Sequence, residues 1–354
     1  MTFFRFFKVV LVCFSFVLTC GVAWGVPIAA IEIGSTGVKG RVIDLDRTEG
    51  LGGAGLMYKV LFKEDINVGI IDGASGGLLP TEGIRRAVGA IKNLIGQMRS
   101  HDPVHLTVVG STSFDSYTNR IALENAIAEE TGLRVRFITQ TDEIFFALRA
   151  SVPRSWEQRA ILIDVGSGNT KLGYHSVLAG SKKFESLRIE MGSAKLRDAA
   201  LTRGGDFVQS AKAIIDQDVR PALRAQFNGH AALFNPRRSI FVEGGAAWAS
   251  ATFAQPAAIN SQYTKLGILD FARARQSMQS TVTPVSSMPE LAKVEQARIL
   301  DEPRLGLLWA LAGSMLIEAI IEEVRPANRD IFFNRNTGWI IGYAISDYEE
   351  SIKK

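Results

Sequence analysis

The sequence predicts an α/β protein made of two related domains. An aliphatic strand ending in an acid, a glycine-rich turn and a second strand occur together twice, at "AIEIGSTGVKG" (residues 30–40) and "LIDVGSGNTKL" (residues 162–172). Helical patterns follow each hairpin, as in a duplicated α/β unit. The 354-residue chain is 47% hydrophobic and has no low-complexity tract, so it is long enough and apolar enough for two such domains.

The first 25 residues have the layout of a secretory signal peptide. Arg5 and Lys8 precede an uncharged, mostly apolar run over residues 9–19, and Ala23-Trp24-Gly25 follows as a small-residue cleavage pattern. The apolar run is short for a membrane span. We therefore expect cleavage near Gly25, a periplasmic or secreted protein and no membrane association after cleavage; an uncleaved anchor helix is the alternative.

Both cysteines, Cys13 and Cys20, lie in this segment, so the mature chain would have no disulfide, thiol nucleophile or cysteine-based metal site. Removing Arg5 and Lys8 from the 40 basic residues leaves 38 against 36 acidic residues. A charge this small, spread along the chain, does not favour a nucleic-acid partner.

The expected first domain covers residues 26–155. After its hairpin, residues 57–70 form an extended pattern, and apolar residues at helical spacing from Ile84 to Met98 predict a helix capped by Thr81. A strand at residues 105–113, a helix over residues 119–131, a strand at residues 133–139 and a helix at residues 142–151 follow. Acids begin that last helix, where the helix dipole favours them.

"SVPRSWEQR" (residues 151–159) is the expected linker, and the second domain covers residues 156–354. It begins with the repeated hairpin and continues with further strands and helices. Residues 255–304, rich in Gln, Ser and Pro between short helical patterns, predict helical excursions on this domain.

The two turns have the composition of phosphate-binding loops. Glycines allow backbone N–H groups to approach a phosphate closely, and Ser35, Thr36, Ser167, Asn169 and Thr170 add side-chain donors. Each turn also has an acid just before it, which could hold hydrated Mg²⁺. A Walker loop or a dinucleotide-binding loop would open a helix, whereas both of these turns open a strand.

These segments resemble, in order, the motifs of the exopolyphosphatase and guanosine pentaphosphate phosphohydrolase (Ppx/GppA) family. "IEIGSTGVK" and "IDVGSGNTKL" are similar to its two phosphate motifs, and "VVGSTSFDSYTN" and "FITQTDEIFFAL" to the segments between them. "IEMGSAKLRD", "FVEGGAAWASA", "GLLWALAGSMLIEAIIEEV" and "TGWIIGY" resemble the downstream segments, the last two being a closing helix and a final strand. The resemblance covers about residues 26–345. It implies two actin-like (ribonuclease H-like) domains with an interdomain cleft.

The resemblance also implies a reaction. Family members remove the terminal phosphate of polyphosphate or pppGpp, with Mg²⁺ and a water activated by a glutamate. Glu143 matches this general base, Glu32 and Asp164 match the metal-side acids, and the turns match at the phosphate-binding residues Gly34, Ser35, Gly166, Ser167 and Gly168. Without the resemblance, Glu143 would equally be interpreted as an acid favoured at a helix start.

Several positions depart from the family pattern. Glu32 stands for an aspartate and is longer by about 1.5 Å. Asp115 stands for a phosphate-gripping arginine, Lys171 for a glutamate, and Ile340 for the last family arginine. Because the first two changes have opposite sign, we hypothesise that Asp115 and Lys171 exchange roles, with Lys171 facing phosphate and Asp115 holding Lys171 or the metal. Arg120 is an alternative cation.

Other motifs are better explained structurally. The "HDP" at His101 lies beside a proline without partner histidines, and the pairs Arg85-Arg86, Lys182-Lys183 and Arg237-Arg238 are typical of solvated surface. An exported phosphohydrolase acting on polyphosphate, which an exported enzyme would meet more readily than pppGpp, is the first functional hypothesis. A polyphosphate- or nucleotide-binding protein with impaired chemistry is the second, and a small-molecule kinase of the same superfold is the third. A homodimer is compatible with each.

Overall fold

The structure, a computed structural model, describes residues 25–45, 58–178, 181–234, 238–280, 288–301, 306–324 and 329–354. Residues 1–24 of the predicted signal segment lie outside the described residues. Within the described residues, the strands are β1 (Val26–Ile33), β2 (Gly37–Leu45), β3 (Tyr58–Asn67), β4 (His105–Gly110), β5 (Val135–Phe137), β6 (Ala160–Val165), β7 (Thr170–Leu178), β8 (Ser181–Ile189), β9 (Ser239–Glu243), β10 (Tyr263–Leu266) and β11 (Ile331–Asn334).

The helices lie between and after these strands. They are α1 (Thr81–Met98), α2 (Arg120–Thr131), α3 (Gln140–Ser151), α4 (Ser193–Arg203), α5 (Phe207–Ile214), α6 (Arg220–Phe227), α7 (Gly245–Ala254), α8 (Ile268–Gln279), α9 (Glu290–Asp301), α10 (Gly306–Glu323) and α11 (Trp339–Ser351). The predicted excursions on the second domain are therefore helical, as α8 and α9 show, with the short strand β10 before them.

The strands form two sheets of matching topology. The first has the order β3-β2-β1-β4-β5, with antiparallel pairing from β3 to β1 and parallel pairing from β1 to β5. The second has the order β10-β11-β9-β6-β7-β8, in which β8-β7-β6-β9-β11 repeats the first sheet and antiparallel β10 is added at the edge. This repetition confirms the two related α/β units predicted from the repeated hairpins.

Each sheet buries its apolar faces against helices. Helix α1 covers the first sheet through residues at helical spacing, among them Ile84, Ile91 and Leu94. Its expected cap is wrong by one residue: Pro80 precedes the helix without a side-chain cap, and Thr81 is the first helical residue. Apolar helix α10 fills the core of the second domain, where Leu316, Ile317 and Ile320 are fully buried.

The last segment of the chain returns to the first sheet. "TGWIIGY" was expected to form a strand, but Trp339 begins α11, because Ile340, Ile341, Ala344 and Ile345 bury one helical face against β1 and β2. Ile340 therefore lies in this apolar layer. A Cβ on Gly342 would lie 1.8 Å from the carbonyl oxygen of Phe146. Because Gly342 has no side chain, α11 can approach α3 closely.

Within the described part of the chain, no single helix is long and apolar enough to cross a bilayer. Among the described helices, only α9 and α10 taken together reach the length and hydropathy of a membrane span. The two helices are bent by 101° relative to each other.

Candidate functional site

The two glycine turns have the same backbone geometry. The amide of Gly34 donates to the carbonyl of Gly37 at 2.9 Å, and the amide of Gly166 donates to that of Asn169 at 3.0 Å. In both hairpins the acid before the turn is paired across the strands with the lysine seven positions later, Glu32 with Lys39 and Asp164 with Lys171. The sequence repeat is therefore also a repeat in three dimensions.

The polar groups of the turns differ in their accessibility. Thr36 and Ser167 are exposed, whereas Ser35, Gly168 and Asn169 are partly exposed. These groups are therefore accessible from solvent. Thr170, in contrast, is fully buried and donates its hydroxyl to the carbonyl of Met191 at 2.8 Å, so that side chain is not available as a phosphate donor.

Glu143 lies between the two halves of the molecule. It is in the first turn of α3, which begins with a capping box formed by Thr139 and Asp142. Its Oε1 accepts hydrogen bonds from the backbone amide of Thr112, at 3.0 Å, and from the Thr112 hydroxyl, at 2.9 Å. Its Oε2 accepts from the ammonium group of Lys171. Glu143 is 6% exposed, and its carboxylate is held by Thr112 from the first domain and by Lys171 from the second.

Lys171 contacts two acids at once. Besides Glu143, its Nζ lies 3.8 Å from Oδ2 of Asp164. Burial alone would lower the pKa of Lys171, but Asp164 and Glu143 outweigh it, so the pKa is raised and the amine is charged. The pKa of Asp164 is raised, mainly by burial. Lys171 and Lys39 oppose this rise, and Glu143 adds to it.

The first hairpin has a similar ion pair. The Nζ of Lys39 lies 2.8 Å from Oε1 of Glu32, and the Glu32 side chain is 6% exposed. Both predicted metal-side acids thus already have a lysine partner from the neighbouring strand.

One part of the hypothesis on Asp115 and Lys171 is wrong: Asp115 does not hold Lys171. Asp115 lies in an exposed loop and pairs with Arg120 at 3.3 Å, whereas Lys171 pairs with Glu143 and Asp164. Among the residues that the structure describes, Asp115 and Lys171 form no ion pair with each other. Arg120 also stacks over the ring of Phe137, at 4.4 Å from its centroid, so it is held at the surface.

Sequence reasoning missed one acid of this cluster, Glu243. It is the last residue of β9, lies beside Asp164 in the parallel pairing with β6, and accepts a hydrogen bond from the Ser151 hydroxyl at 2.6 Å. Burial, reinforced by Asp164, raises its pKa to about 8. Its signal was the sequence "FVEGG", which again has an acid followed by glycines at a strand end.

Two of the basic residues interpreted from sequence as solvated surface, Lys182 and Arg238, lie away from the glycine turns. Lys182 and Arg238 line a cavity of about 550 Å³, at the opposite end of β7 from the glycine turn, together with Arg154 and Arg159. Lys182 pairs with Glu157 at 3.2 Å, and Arg154 pairs with Glu349. Arg238 donates to the backbone carbonyls of Ala232 and His175. Lys182, Arg154 and Arg238 therefore already have protein partners, and the cavity is not part of the candidate site.

Comparisons with known proteins support the architecture. No family model and no curated protein matches the chain. Among solved structures, it is similar to the Ppx/GppA family member of Aquifex aeolicus, over 92% of this chain and 98% of that chain, with a TM-score of 0.65 and 13% identity. The chain has the Ppx/GppA fold.

Two further solved structures agree. An exopolyphosphatase from Cytophaga hutchinsonii is 17% identical over 91% of this chain and 98% of that chain, with a TM-score of 0.59. A nucleoside triphosphate hydrolase from Neospora caninum is 10% identical over 91% of this chain and 92% of that chain, with a TM-score of 0.53. The prediction of two actin-like domains is thereby confirmed, and Glu143 lies between them.

The residues of this Ppx/GppA fold do not fit the expected Mg²⁺. Mg²⁺ needs carboxylate oxygens that are free to bind it and its waters. Here Glu32 faces Lys39, and Asp164 and Glu143 face Lys171. Across the described ranges, no group of three or more His, Cys, Asp or Glu side chains is arranged to hold a metal ion.

Proposed function

We propose that the protein is a phosphohydrolase that cleaves terminal phosphoanhydride bonds, with inorganic polyphosphate as its substrate. The observation that carries the proposal is the position of Glu143, a buried carboxylate held by Thr112 beside two glycine turns of equal geometry. The Ppx/GppA fold supports it, since one similar structure is described as an exopolyphosphatase. Polyphosphate is preferred over pppGpp because the N-terminal sequence predicts export.

In the proposed reaction, the terminal phosphate binds against the amides of the two turns, and Lys39 and Lys171 face its oxygens. A water oxygen forms a bond to the terminal phosphorus while the bond to the bridging oxygen breaks. Glu143 accepts the proton of the water and releases it to solvent, and the shortened chain leaves with the bridging electron pair. The products are inorganic phosphate and a chain that is one unit shorter.

A second function is favoured by one specific contact. Lys171 donates to Oε2 of Glu143, and a carboxylate that keeps this partner when phosphate is bound cannot take a proton from water. The protein would then bind polyphosphate or a nucleotide without hydrolysing it. The two functions differ in whether Lys171 moves from Glu143 to the ligand.

A phosphate-release assay tests the proposal. Purified protein is incubated with polyphosphate, pppGpp or ATP, and polyphosphate binding is measured in parallel by calorimetry. We expect phosphate release from polyphosphate, and a loss of kcat on the order of 10²–10⁴-fold in Glu143→Gln with unchanged affinity. Glu129→Gln, at an exposed acid of α2, is the matched control. Binding without release supports the second function, and absence of both contradicts each.

A further inference from the structure

The two hairpins each place one lysine beside the proposed phosphate site. Lys39 and Lys171 occupy equivalent positions in the two hairpins, each opposite the acid that precedes its turn. Since neighbouring strands fix these pairs, the ammonium groups are positioned by the backbone and not only by flexible side chains. The duplicated fold thus brings one lysine from each domain to the two turns.

Lys171 has the surroundings expected of a divalent cation. Its side chain is 12% exposed, it contacts Oε2 of Glu143, and it lies 3.8 Å from Oδ2 of Asp164. The other oxygen of Glu143 is taken by Thr112. A metal ion could bind these two carboxylates only by displacing a charged amine that their own fields stabilise.

We infer that the ammonium group of Lys171 takes the place of a divalent cation in this site, so that the protein binds polyphosphate without Mg²⁺. The inference concerns the site of the proposed function and rests on it for the identity of the ligand. A single lysine carries half the charge of Mg²⁺. Lys39, which is paired with Glu32 at 2.8 Å at the equivalent position of the first hairpin, supplies the other half.

The inference also explains the resting contact between Lys171 and Glu143. Without a ligand, Lys171 partners Glu143 and Asp164, so that neither of these two carboxylates lacks a cationic partner. When phosphate enters, its oxygens become the better acceptors for Lys171, and Oε2 of Glu143 becomes available to water. One residue thus provides the cation for the ligand and controls the base.

Two titrations test the inference. Mg²⁺ alone is titrated into the wild-type protein by calorimetry, and polyphosphate is then titrated in excess EDTA or in millimolar MgCl₂. We expect no saturable Mg²⁺ binding, and polyphosphate affinities that agree within about threefold between the two conditions. The inference is overturned if wild type binds Mg²⁺ saturably and Asp164→Asn abolishes that binding, or if EDTA removes polyphosphate binding.

Variants at Lys171 test whether its ammonium group replaces the metal ion. Lys171→Glu adds a carboxylate beside Glu143 and Asp164, so it should gain saturable Mg²⁺ binding and lose at least about tenfold in polyphosphate affinity when EDTA is present. Lys171→Gln should lose affinity in both conditions and gain no Mg²⁺ site. Lys183→Gln, at an exposed lysine of β8, should behave as wild type.

These measurements separate the inference from the proposed function. The Mg²⁺ titration needs no substrate, so it decides the inference even if polyphosphate proves not to be the ligand. If wild type fails to bind polyphosphate in either condition, the proposed function is wrong. Thermal melting shows whether each variant is folded, and if Lys171→Glu is not, the wild-type titration and Lys171→Gln still decide.

Discussion

The hydroxyl of Ser151 donates a hydrogen bond to Oε2 of Glu243 at 2.6 Å, and it thereby joins the end of α3 to the end of β9. The same hydroxyl lies 2.8 Å from that of Thr337, just before α11. Three segments from both halves of the chain therefore meet at this hydroxyl, which is bound to the buried carboxyl group of Glu243. The protonation state of that carboxyl group contributes to the stability of the whole molecule.

Glu243 predicts a pH dependence of stability. Its pKa is about 8 in the folded protein and near 4.5 when unfolded, so the folded state binds the proton more tightly. The stabilisation is complete below the unfolded pKa and is lost as pH rises toward 8, by up to about 4–5 kcal/mol. Urea unfolding at several pH values should show this loss in wild type and a much smaller one in Glu243→Gln. Equal slopes in the two proteins would contradict the assignment.

Thr112 predicts a positioning effect on Glu143. Thr112→Val removes the hydroxyl bond to Oε1 but leaves the backbone bond, so we expect kcat to fall by about 10–100-fold with little change in KM. Thr112→Ser should restore most of the rate. Thr118→Val, at an exposed threonine nearby, is the control. A rise in KM with unchanged kcat would show that Thr112 acts on substrate binding instead.

Gly168 and Gly192 separate ligand contact from folding. A Cβ on Gly168 would meet no atom within 4 Å, whereas a Cβ on Gly192 would lie 2.4 Å from the carbonyl oxygen of Gly166. Gly168→Ala should therefore keep the melting temperature but lower polyphosphate affinity by about tenfold, because the methyl group occupies space near the ligand. Gly192→Ala should lower both. Wild-type binding by Gly168→Ala would place the ligand elsewhere.

Gly342 predicts a packing effect far from the turns. Gly342→Ala forces α11 away from Phe146 and should destabilise the protein by about 1–3 kcal/mol. Gly89→Ala is the matched control, since Gly89 is an exposed position of α1 with nothing near its Cβ, and it should stabilise by about 0.5–1 kcal/mol. Chemical denaturation compares the two. Similar effects would mean that α11 can shift without cost.

The sequence predicted the hairpins and most helices correctly because their signals are local. The pairs Glu32–Lys39 and Asp164–Lys171 follow from strand period and turn length. Helix α11 was predicted as a strand because "TGWIIGY" resembles the final strand of the Ppx/GppA motifs, whereas burial of its isoleucines on the first sheet favours a helix.

The site was predicted only in part, because its contacts are non-local. Lys171 meets Glu143, 28 residues earlier in the chain, and this contact depends on how the two domains are joined. Asp115, chosen by alignment of motifs, instead contacts Arg120 within its own loop. Glu243 was missed because its proximity to Asp164 arises from parallel pairing of β6 and β9, which no local pattern reveals.

The return of α11 to the first sheet sets the order of folding during synthesis. The ribosome makes β1 and β2 early, but the apolar face formed by Ile28, Ala30 and Ile43 is covered by residues near the end of the chain. Domains that are complete within one stretch of sequence can fold while the rest is being made. Here the domain that is translated first can finish folding only after the residues of α11 have been made.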